Sequence, residues 1–221
     1  MTGRLVVVTG TGTEIGKTHV AEAVLLALKA AGVRAVGLKP VESGVGPGVS
    51  DASRLAGASA FHVKPYGVAL KAPVSPHRAA RAEGVTLDLA GLAAEVEAVR
   101  ALGELVLVEL PGGLFTPLAE GVLNVDFVGR LRPDAVLLVA PDRLGVLHDV
   151  LATTRAARAA GVDLRGIVLV APAVPDASTG TNAEDLRAYA AIPVLAVVPR
   201  GAPDALATDP SVALIVAASR R

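Results

Sequence analysis

A lysine and a threonine stand directly behind a glycine-bearing segment near the start of the chain. Residues 6–18 read VVVTGTGTEIGKT, in which three valines predict a short buried strand and the segment from Gly10 to Gly16 predicts a tight turn. Lys17 and Thr18 then open an apolar-periodic helix. Backbone N–H groups in such a turn, together with the helix N-terminus, favour bound phosphate. A lysine here can contact the outer phosphates and a threonine hydroxyl can ligate magnesium, so the stretch predicts a phosphate-binding loop.

The spacing of this loop differs by one residue from the common pattern. In G-x-x-x-x-G-K-[ST] the first glycine would occupy position 11, which is Thr11 here, and the nearest upstream glycine is Gly10. The alternative is an ordinary strand-turn-helix that happens to contain G-K-T. We favour nucleotide binding because strand, glycines, lysine, hydroxyl and helix all occur in the expected order.

Three more charged residues, Lys39, Asp51 and Glu109, lie at or just beyond the ends of predicted strands. The carboxyl ends of parallel strands meet at one edge of a sheet, so these groups are expected to converge with Lys17. Two lysines suit an anionic substrate on which charge develops during phosphoryl transfer. Two carboxylates together with Thr18 suit magnesium, which prefers oxygen ligands and keeps several waters.

Each of these residues also has a purely structural interpretation. A lysine after a strand is usually solvated, and for Lys39 considered by itself this is the favoured interpretation. Asp51 could simply complement the dipole at a helix start. Glu109 is harder to explain in this way, because a carboxylate that closes the apolar run LVLV needs a partner or an ion. The four histidines show no metal-ligand spacing.

The pattern along the chain alternates strands with helices, which predicts an α/β fold with a doubly wound, mostly parallel sheet flanked by helices. No linker, repeat or low-complexity tract divides the sequence, so residues 1–221 are expected to form a single domain. Residues 61–72 read as irregular, and residues 211–218 could be helix or strand. The predicted strands are 6–8, 34–38, 105–108, 135–139, 167–170 and 194–198, and the predicted helices are 17–31, one beginning at 51–55, one from 76, 89–103, 124–131, 145–160 and 184–190.

Composition limits the classes of protein to which the chain can belong. Hydrophobic residues make up 52% but aromatic residues only 2%, so Val, Leu and Ala must fill the core, as in a parallel sheet covered on both faces. Lys+Arg and Asp+Glu balance at 21 each, which gives no electrostatic case for nucleic acid or a membrane surface. The absence of cysteine excludes disulfides and thiolate chemistry. The N-terminal residues run straight into the first strand and no apolar run spans a bilayer, so we expect a cytoplasmic protein without a signal peptide.

Several segments, spread in order over about the first 120 residues, together resemble the dethiobiotin synthase family of the P-loop NTPase superfamily. They are TGTGTEIGKT, GLKPVESG, SDA, SPH and VELPGGLFTPL, and RLGVLH continues the similarity further along. The resemblance implies an ATP- and magnesium-dependent cyclo-ligase of biotin biosynthesis, acting on 7,8-diaminopelargonic acid and carbon dioxide. One amine would capture carbon dioxide as a carbamate, ATP would phosphorylate the carbamate, and the second amine would close the cyclic urea. The family also implies a homodimer.

The same resemblance implies roles for individual residues. Lys17 would bind the phosphates, Lys39 would stabilise the carbamate and the transferring phosphoryl group, and Ser43 would contact the diamine. The nucleotide-binding residues carried over by motif are Thr13, Glu14, Ile15, Gly16, Lys17, Thr18, His19, Asp51, Glu109 and Gly112, and among them Thr18, Asp51 and Glu109 would hold magnesium.

Two places depart from the family pattern. Members often read EGAGG where this chain has Leu110 and Pro111 between Glu109 and the two glycines. Members also commonly place Asn-Asp after a late strand to read adenine, and the corresponding residues here are Pro172 and Ala173. Neither of their side chains can hydrogen-bond and proline has no N–H, so weaker base discrimination is expected.

Three other classes compete with the ligase. A partition- or nitrogenase-type ATPase switch usually carries an extra lysine early in the phosphate loop, and Thr11, Gly12 and Thr13 provide none. A phosphate-loop amidotransferase normally needs a nucleophilic cysteine, which this sequence lacks. A nucleotide-binding module without catalytic activity would not need the lysines and carboxylate that follow the predicted strands.

Overall fold

The computed structural model describes residues 2–64 and 66–220. In chain order, its helices and strands are β1 (Arg4–Gly10), α1 (Lys17–Ala30), β2 (Ala35–Leu38), β3 (Val41–Ser43), α2 (Asp51–Ala58), β4 (Val68–Leu70), α3 (Pro76–Glu83), α4 (Leu89–Arg100), β5 (Leu105–Glu109), β6 (Pro117–Ala119), β7 (Val122–Leu123), α5 (Asn124–Leu131), β8 (Ala135–Pro141), α6 (Val146–Ala159), β9 (Leu164–Val170), α7 (Asn182–Tyr189), β10 (Val194–Val198), α8 (Pro203–Leu206) and α9 (Pro210–Ser219).

Six strands form one sheet in the order β10-β9-β8-β1-β5-β2, and every neighbouring pair is parallel. Helices α1, α2, α8 and α9 contribute to the apolar core on one face, while α3 to α7 contribute to the core on the other. Strand β1 lies inside the sheet between β8 and β5, and its valines at positions 6–8 are at most 1% exposed. Burial on both faces explains why the core is aliphatic, and the predicted doubly wound α/β fold is confirmed.

The undecided C-terminal segment is helical. Helix α9 begins at Pro210, and the Asp209 side chain caps it by accepting a hydrogen bond from the Ser211 N–H at 2.8 Å. Proline at the first helical position and an aspartate cap are both favourable at a helix start. Within the described residues, no helix combines the length and the apolar character needed to span a bilayer.

The prediction that residues 61–72 are irregular was wrong in part. Strand β4 lies within them and pairs in parallel with β3, which itself lies between the predicted strand 34–38 and the helix predicted to begin at 51–55. Each strand has only three residues, too few for an alternating pattern to be visible in the sequence. Gly67, at φ +90°, allows the chain to pass so close to the Lys39 carbonyl that a Cβ there would clash with it. The small sheet therefore fixes the backbone that follows Lys39, while β2 of the large sheet fixes the backbone that precedes it.

Candidate active site

The phosphate loop connects the end of β1 to the start of α1 and requires glycine at its last position. Gly16 has φ +94°, and a Cβ added there would lie 2.9 Å from a methyl group of Val170. Both the left-handed backbone and the close approach therefore exclude a larger residue. Glu14 also adopts a positive φ of 56°, which is uncommon for a residue other than glycine and marks strain inside the loop.

Lys17 lies behind this loop with only 6% of its surface exposed. Its Nζ donates a hydrogen bond to the Gly12 carbonyl oxygen at 2.7 Å, so the ammonium curls back over the loop. Burial lowers the pKa of Lys17 to about 8, an effect that the carboxylate of Glu109 opposes and the ammonium of Lys39 reinforces. A desolvated ammonium of this kind gains from an anionic neighbour, as a nucleotide phosphate would provide.

Lys39 lies between two carboxylates at the sheet edge. Its Nζ donates to Asp51 Oδ2 and, at 2.8 Å, to Glu109 Oε1, and the same Glu109 oxygen accepts the Thr18 hydroxyl at 2.8 Å. Burial acts to lower the pKa of Lys39, but the two carboxylates outweigh it and raise the pKa above its ordinary value. Burial likewise acts to raise the pKa of Asp51, but the hydrogen bond and charge of Lys39, together with Thr18 and Arg54, outweigh it, so that this pKa is lowered. Lys39 and Glu109 lie at strand ends, as the sequence predicted, whereas Asp51 lies at the start of α2 and not at a strand end. Strand ends and helix starts together bring these side chains into contact.

The donor set of this cluster suits a magnesium ion. Glu109 is 1% exposed, and its Oε2 has no hydrogen-bond partner among the described residues. A buried carboxylate oxygen without a partner is costly, and a cation would satisfy it. No group of three or more His, Cys, Asp and Glu residues capable of holding a metal occurs in residues 2–64 and 66–220. Two carboxylates and the Thr18 hydroxyl would thus supply only part of the coordination, which fits an ion that keeps waters and shares phosphate oxygens.

An open cleft of about 1070 Å³ runs past both the phosphate loop and the carboxylate cluster. Its volume is ample for a nucleotide together with a second small substrate. Ser43 lines the cleft from the end of β3. Every residue that the sequence analysis assigned to the site lines it: Thr13, Glu14, Ile15, Gly16, Lys17, Thr18, His19, Lys39, Ser43, Asp51, Glu109 and Gly112.

The positions that depart from the family pattern have different surroundings. Leu110 is fully buried and its N–H donates to the Val8 carbonyl at 3.0 Å, so it extends the sheet, whereas Pro111 lines the cleft. Pro172 and Ala173 follow β9 at the carboxyl edge of the sheet. Among the described residues, those that line the cleft do not include either of these two.

Two supporting residues were missed by the sequence analysis. Asn124, fully buried, donates from Nδ2 to the carbonyl oxygens of Pro111 at 2.6 Å and Gly113 at 2.8 Å, which closes the loop that follows Glu109. Glu42 accepts hydrogen bonds from the first two backbone N–H groups of α2. The sequence did offer a signal for Asn124, which is a polar residue at the predicted start of helix 124–131. For Glu42 the only indication was general: the first N–H groups of any helix need hydrogen-bond acceptors from outside the helix.

Comparisons with known proteins agree with this geometry. Residues 4–203 match the family described as the AAA domain. The ATP-dependent dethiobiotin synthetase BioD of Rhodopirellula baltica is 37% identical over 214 residues, which covers 86% of this chain and 82% of that protein. The protein of the same name from Aromatoleum aromaticum is 39% identical over 202 residues, covering 86% of this chain and 88% of its own length.

Among solved structures, the cell division ATPase MinD of Pyrococcus furiosus superimposes with a TM-score of 0.57 over 98% of this chain and 97% of MinD. The two are 20% identical, so this likeness concerns the fold alone. The similarity to the two synthetases, in contrast, extends over more than four fifths of both chains. The chain belongs to the dethiobiotin synthetase family.

Proposed function

We propose that this protein is an ATP- and magnesium-dependent dethiobiotin synthetase that joins 7,8-diaminopelargonic acid and carbon dioxide in biotin biosynthesis. The observation that carries the proposal is the placement of Lys39, whose ammonium lies in the phosphate-loop cleft between Asp51 and Glu109. A partition- or nitrogenase-type switch usually carries its extra lysine within the phosphate loop, and it has no need of a buried lysine at the end of the second strand. A ligase that makes and phosphorylates a carbamate does have that need.

The chemistry proceeds in three steps. One amine of the substrate attacks carbon dioxide and loses a proton, which gives a carbamate anion. A carbamate oxygen then attacks the γ-phosphorus of ATP, and the bond from that phosphorus to the bridging oxygen of ADP breaks. Finally the second amine attacks the activated carbonyl carbon, loses its proton and expels inorganic phosphate, which closes the cyclic urea.

The lysines would act on the charge that builds up during these steps. Negative charge accumulates on the carbamate and on the oxygens of the transferring phosphoryl group, and a fixed ammonium stabilises it without reorganisation. In the proposal Lys39 does this at the carbamate side, and Lys17 does it at the phosphate loop. Both are less than 10% exposed, so their charges are weakly screened by water.

The carboxylates would hold the ion. We assign magnesium to Thr18, Asp51 and Glu109. The fit rests on their oxygen donors and on Oε2 of Glu109, which has no hydrogen-bond partner in the part of the chain that the structure describes. Bound there, magnesium would neutralise charge on the phosphate oxygens. Because Lys39 contacts both carboxylates, ion and ammonium would share them, and the position of each would depend on the other.

The remaining attributes come from the family resemblance. We propose that residues 1–221 act as one catalytic domain, that the enzyme is a homodimer in the cytoplasm, and that Ser43 contacts the diamine from the end of β3. The equal number of acidic and basic residues supports small-molecule substrates rather than nucleic acid or membrane. The experiment that tests the proposal is to measure released phosphate and dethiobiotin together, with each substrate omitted in turn.

Base selectivity is expected to be low. A pocket that pairs with a polar group on its ligand rejects analogues lacking that group by ~10⁴, and a pocket without such groups cannot do so. By the family resemblance, Pro172 and Ala173 stand where members commonly have Asn-Asp, whose side chains can hydrogen-bond. Turnover measured with ATP, GTP and CTP should therefore differ by far less than this factor. Strong selection for ATP would show that other residues read the base.

A further inference from the structure

The ion site depends on a helix that starts at the end of a glycine-rich loop. Asp51 is the first residue of α2, and residues 44–49, which read GVGPGV, connect it to β3. Most of this segment is exposed, and Val49 is 76% exposed. Glycine-rich chain has many accessible conformations, so the loop itself does little to fix where α2 begins.

Glu42 ties the two ends of this loop together. It lies on β3 and is half-buried, and its Oε1 accepts the N–H of Asp51 at 2.8 Å while its Oε2 accepts the N–H of Ala52 at 3.1 Å. The next amide, that of Ser53, donates to the Ser50 hydroxyl at 3.1 Å. The first three N–H groups of α2, which have no acceptor within the helix, are thereby all satisfied.

These bonds act on the residue whose side chain faces the ion site. The Asp51 carboxylate pairs with Lys39 on one side and lies 3.8 Å from Arg54 Nη1 on the other. Arg54 is in turn held by Glu22 of α1, but it lies one turn inside the helix. Only the Glu42 carboxylate, among the described contacts, anchors the backbone of Asp51 to a strand. Its negative charge also suits the positive end of the helix, so this N-terminus already holds its anion.

We propose that Glu42 is a positioning residue for the ion site: by binding the Asp51 and Ala52 amides it holds the Asp51 carboxylate at a fixed distance from Glu109. The proposal rests on the proposed function in assigning a metal to Asp51 and Glu109. Groups that orient metal ligands in this way are typically worth 10–100-fold in metal affinity.

The test compares Glu42→Ala with a matched control, Ser50→Ala. The control removes a cap from the same helix start and leaves the Asp51 and Ala52 amides bound to Glu42. Mn²⁺ is titrated by electron paramagnetic resonance in the presence of a non-hydrolysable ATP analogue. Glu42→Ala should raise the half-saturating Mn²⁺ concentration by on the order of tenfold or more, while Ser50→Ala should leave it close to wild type. Glu42→Gln, which keeps one acceptor oxygen and the side-chain volume, should fall between them.

Two further readouts separate positioning from a loss of folding. Amide hydrogen exchange, measured without nucleotide, should accelerate at Asp51 and Ala52 in Glu42→Ala and not in Ser50→Ala. In activity assays Glu42→Ala should need more Mg²⁺ for half-maximal turnover but recover most of the wild-type rate at saturating Mg²⁺. If Glu42→Ala does not fold, Glu42→Gln decides the question by the same Mn²⁺ titration.

Wild-type Mn²⁺ affinity in the Glu42 variants would overturn the proposal. An equal loss of affinity in Ser50→Ala would also overturn it, because stability of the helix start would then be the cause. A failure of the proposed function would look different: the wild-type protein would form no dethiobiotin, while the Mn²⁺ and exchange comparisons would still report on Glu42.

Discussion

Lys39→Ala should lower the turnover rate by on the order of 10²–10³ and change ATP affinity little. The Lys39 ammonium lies 2.8 Å from Glu109 Oε1, in the cleft but beyond the phosphate loop. In the proposed reaction its decisive contact forms with the carbamate and the transferring phosphoryl group, so its loss is felt mainly in the transition state. The measurements are steady-state turnover with all substrates and an ATP titration without diamine.

A suitable control for this variant is Lys29→Ala, which removes an exposed lysine from the end of α1. It should behave as wild type in both measurements. Because Lys39→Ala leaves two carboxylates without their cation, its thermal unfolding should be recorded alongside. Equal losses of ATP affinity and turnover in a folded Lys39→Ala protein would mean that this lysine serves the nucleotide rather than the carbamate.

Glu109→Gln should raise the magnesium concentration required for half-maximal activity by about a hundredfold. Residues that only orient a metal ligand contribute up to about this factor to metal affinity, and Glu109 would contact the ion itself. The substitution keeps the shape of a side chain that is 1% exposed. It turns the charged carboxylate, whose Oε2 has no hydrogen-bond partner among the described residues, into a neutral amide. It also removes one of the two carboxylates that hold Lys39. The measurement is a magnesium titration of turnover at fixed ATP.

Glu120→Gln provides the comparison for this titration. Glu120 is exposed and pairs with Arg81 on the surface, where such pairs contribute little. Its magnesium titration should match that of the wild-type protein. An unchanged titration in Glu109→Gln as well would place the ion elsewhere and remove Glu109 from the proposed site.

Local pattern and topology were enough to predict the centre of this site. The phosphate loop is a continuous stretch, so its strand, turn and helix are visible together in residues 6–18. Lys39 and Glu109 are 70 residues apart, but each follows a strand with a clear apolar run, and parallel strands deliver their ends to one edge. This rule was enough to predict that both residues lie near Lys17.

The supporting contacts could not be predicted in this way. Glu42, which bonds to the amide of Asp51, lies on β3, and strands of three residues leave no periodic signal. Asn124 holds the carbonyl of Pro111 across a hairpin formed by β6 and β7, which is equally short. Both contacts join a side chain to a backbone group, so neither depends on a recognisable pair of residue types. The fold and the charged centre therefore follow from the sequence, whereas the bonds that orient them require the structure.

In the proposed reaction the γ-phosphoryl group of ATP goes to a carbamate and not to water. Phosphate release and dethiobiotin mass, measured in one assay, distinguish these two acceptors. We expect slow ATP turnover when either diaminopelargonate or bicarbonate is omitted, and a faster rate with equimolar dethiobiotin and phosphate when both are present. Hydrolysis of ATP at full rate without the diamine, with no cyclic urea formed, would contradict the ligase and leave a nucleotide switch.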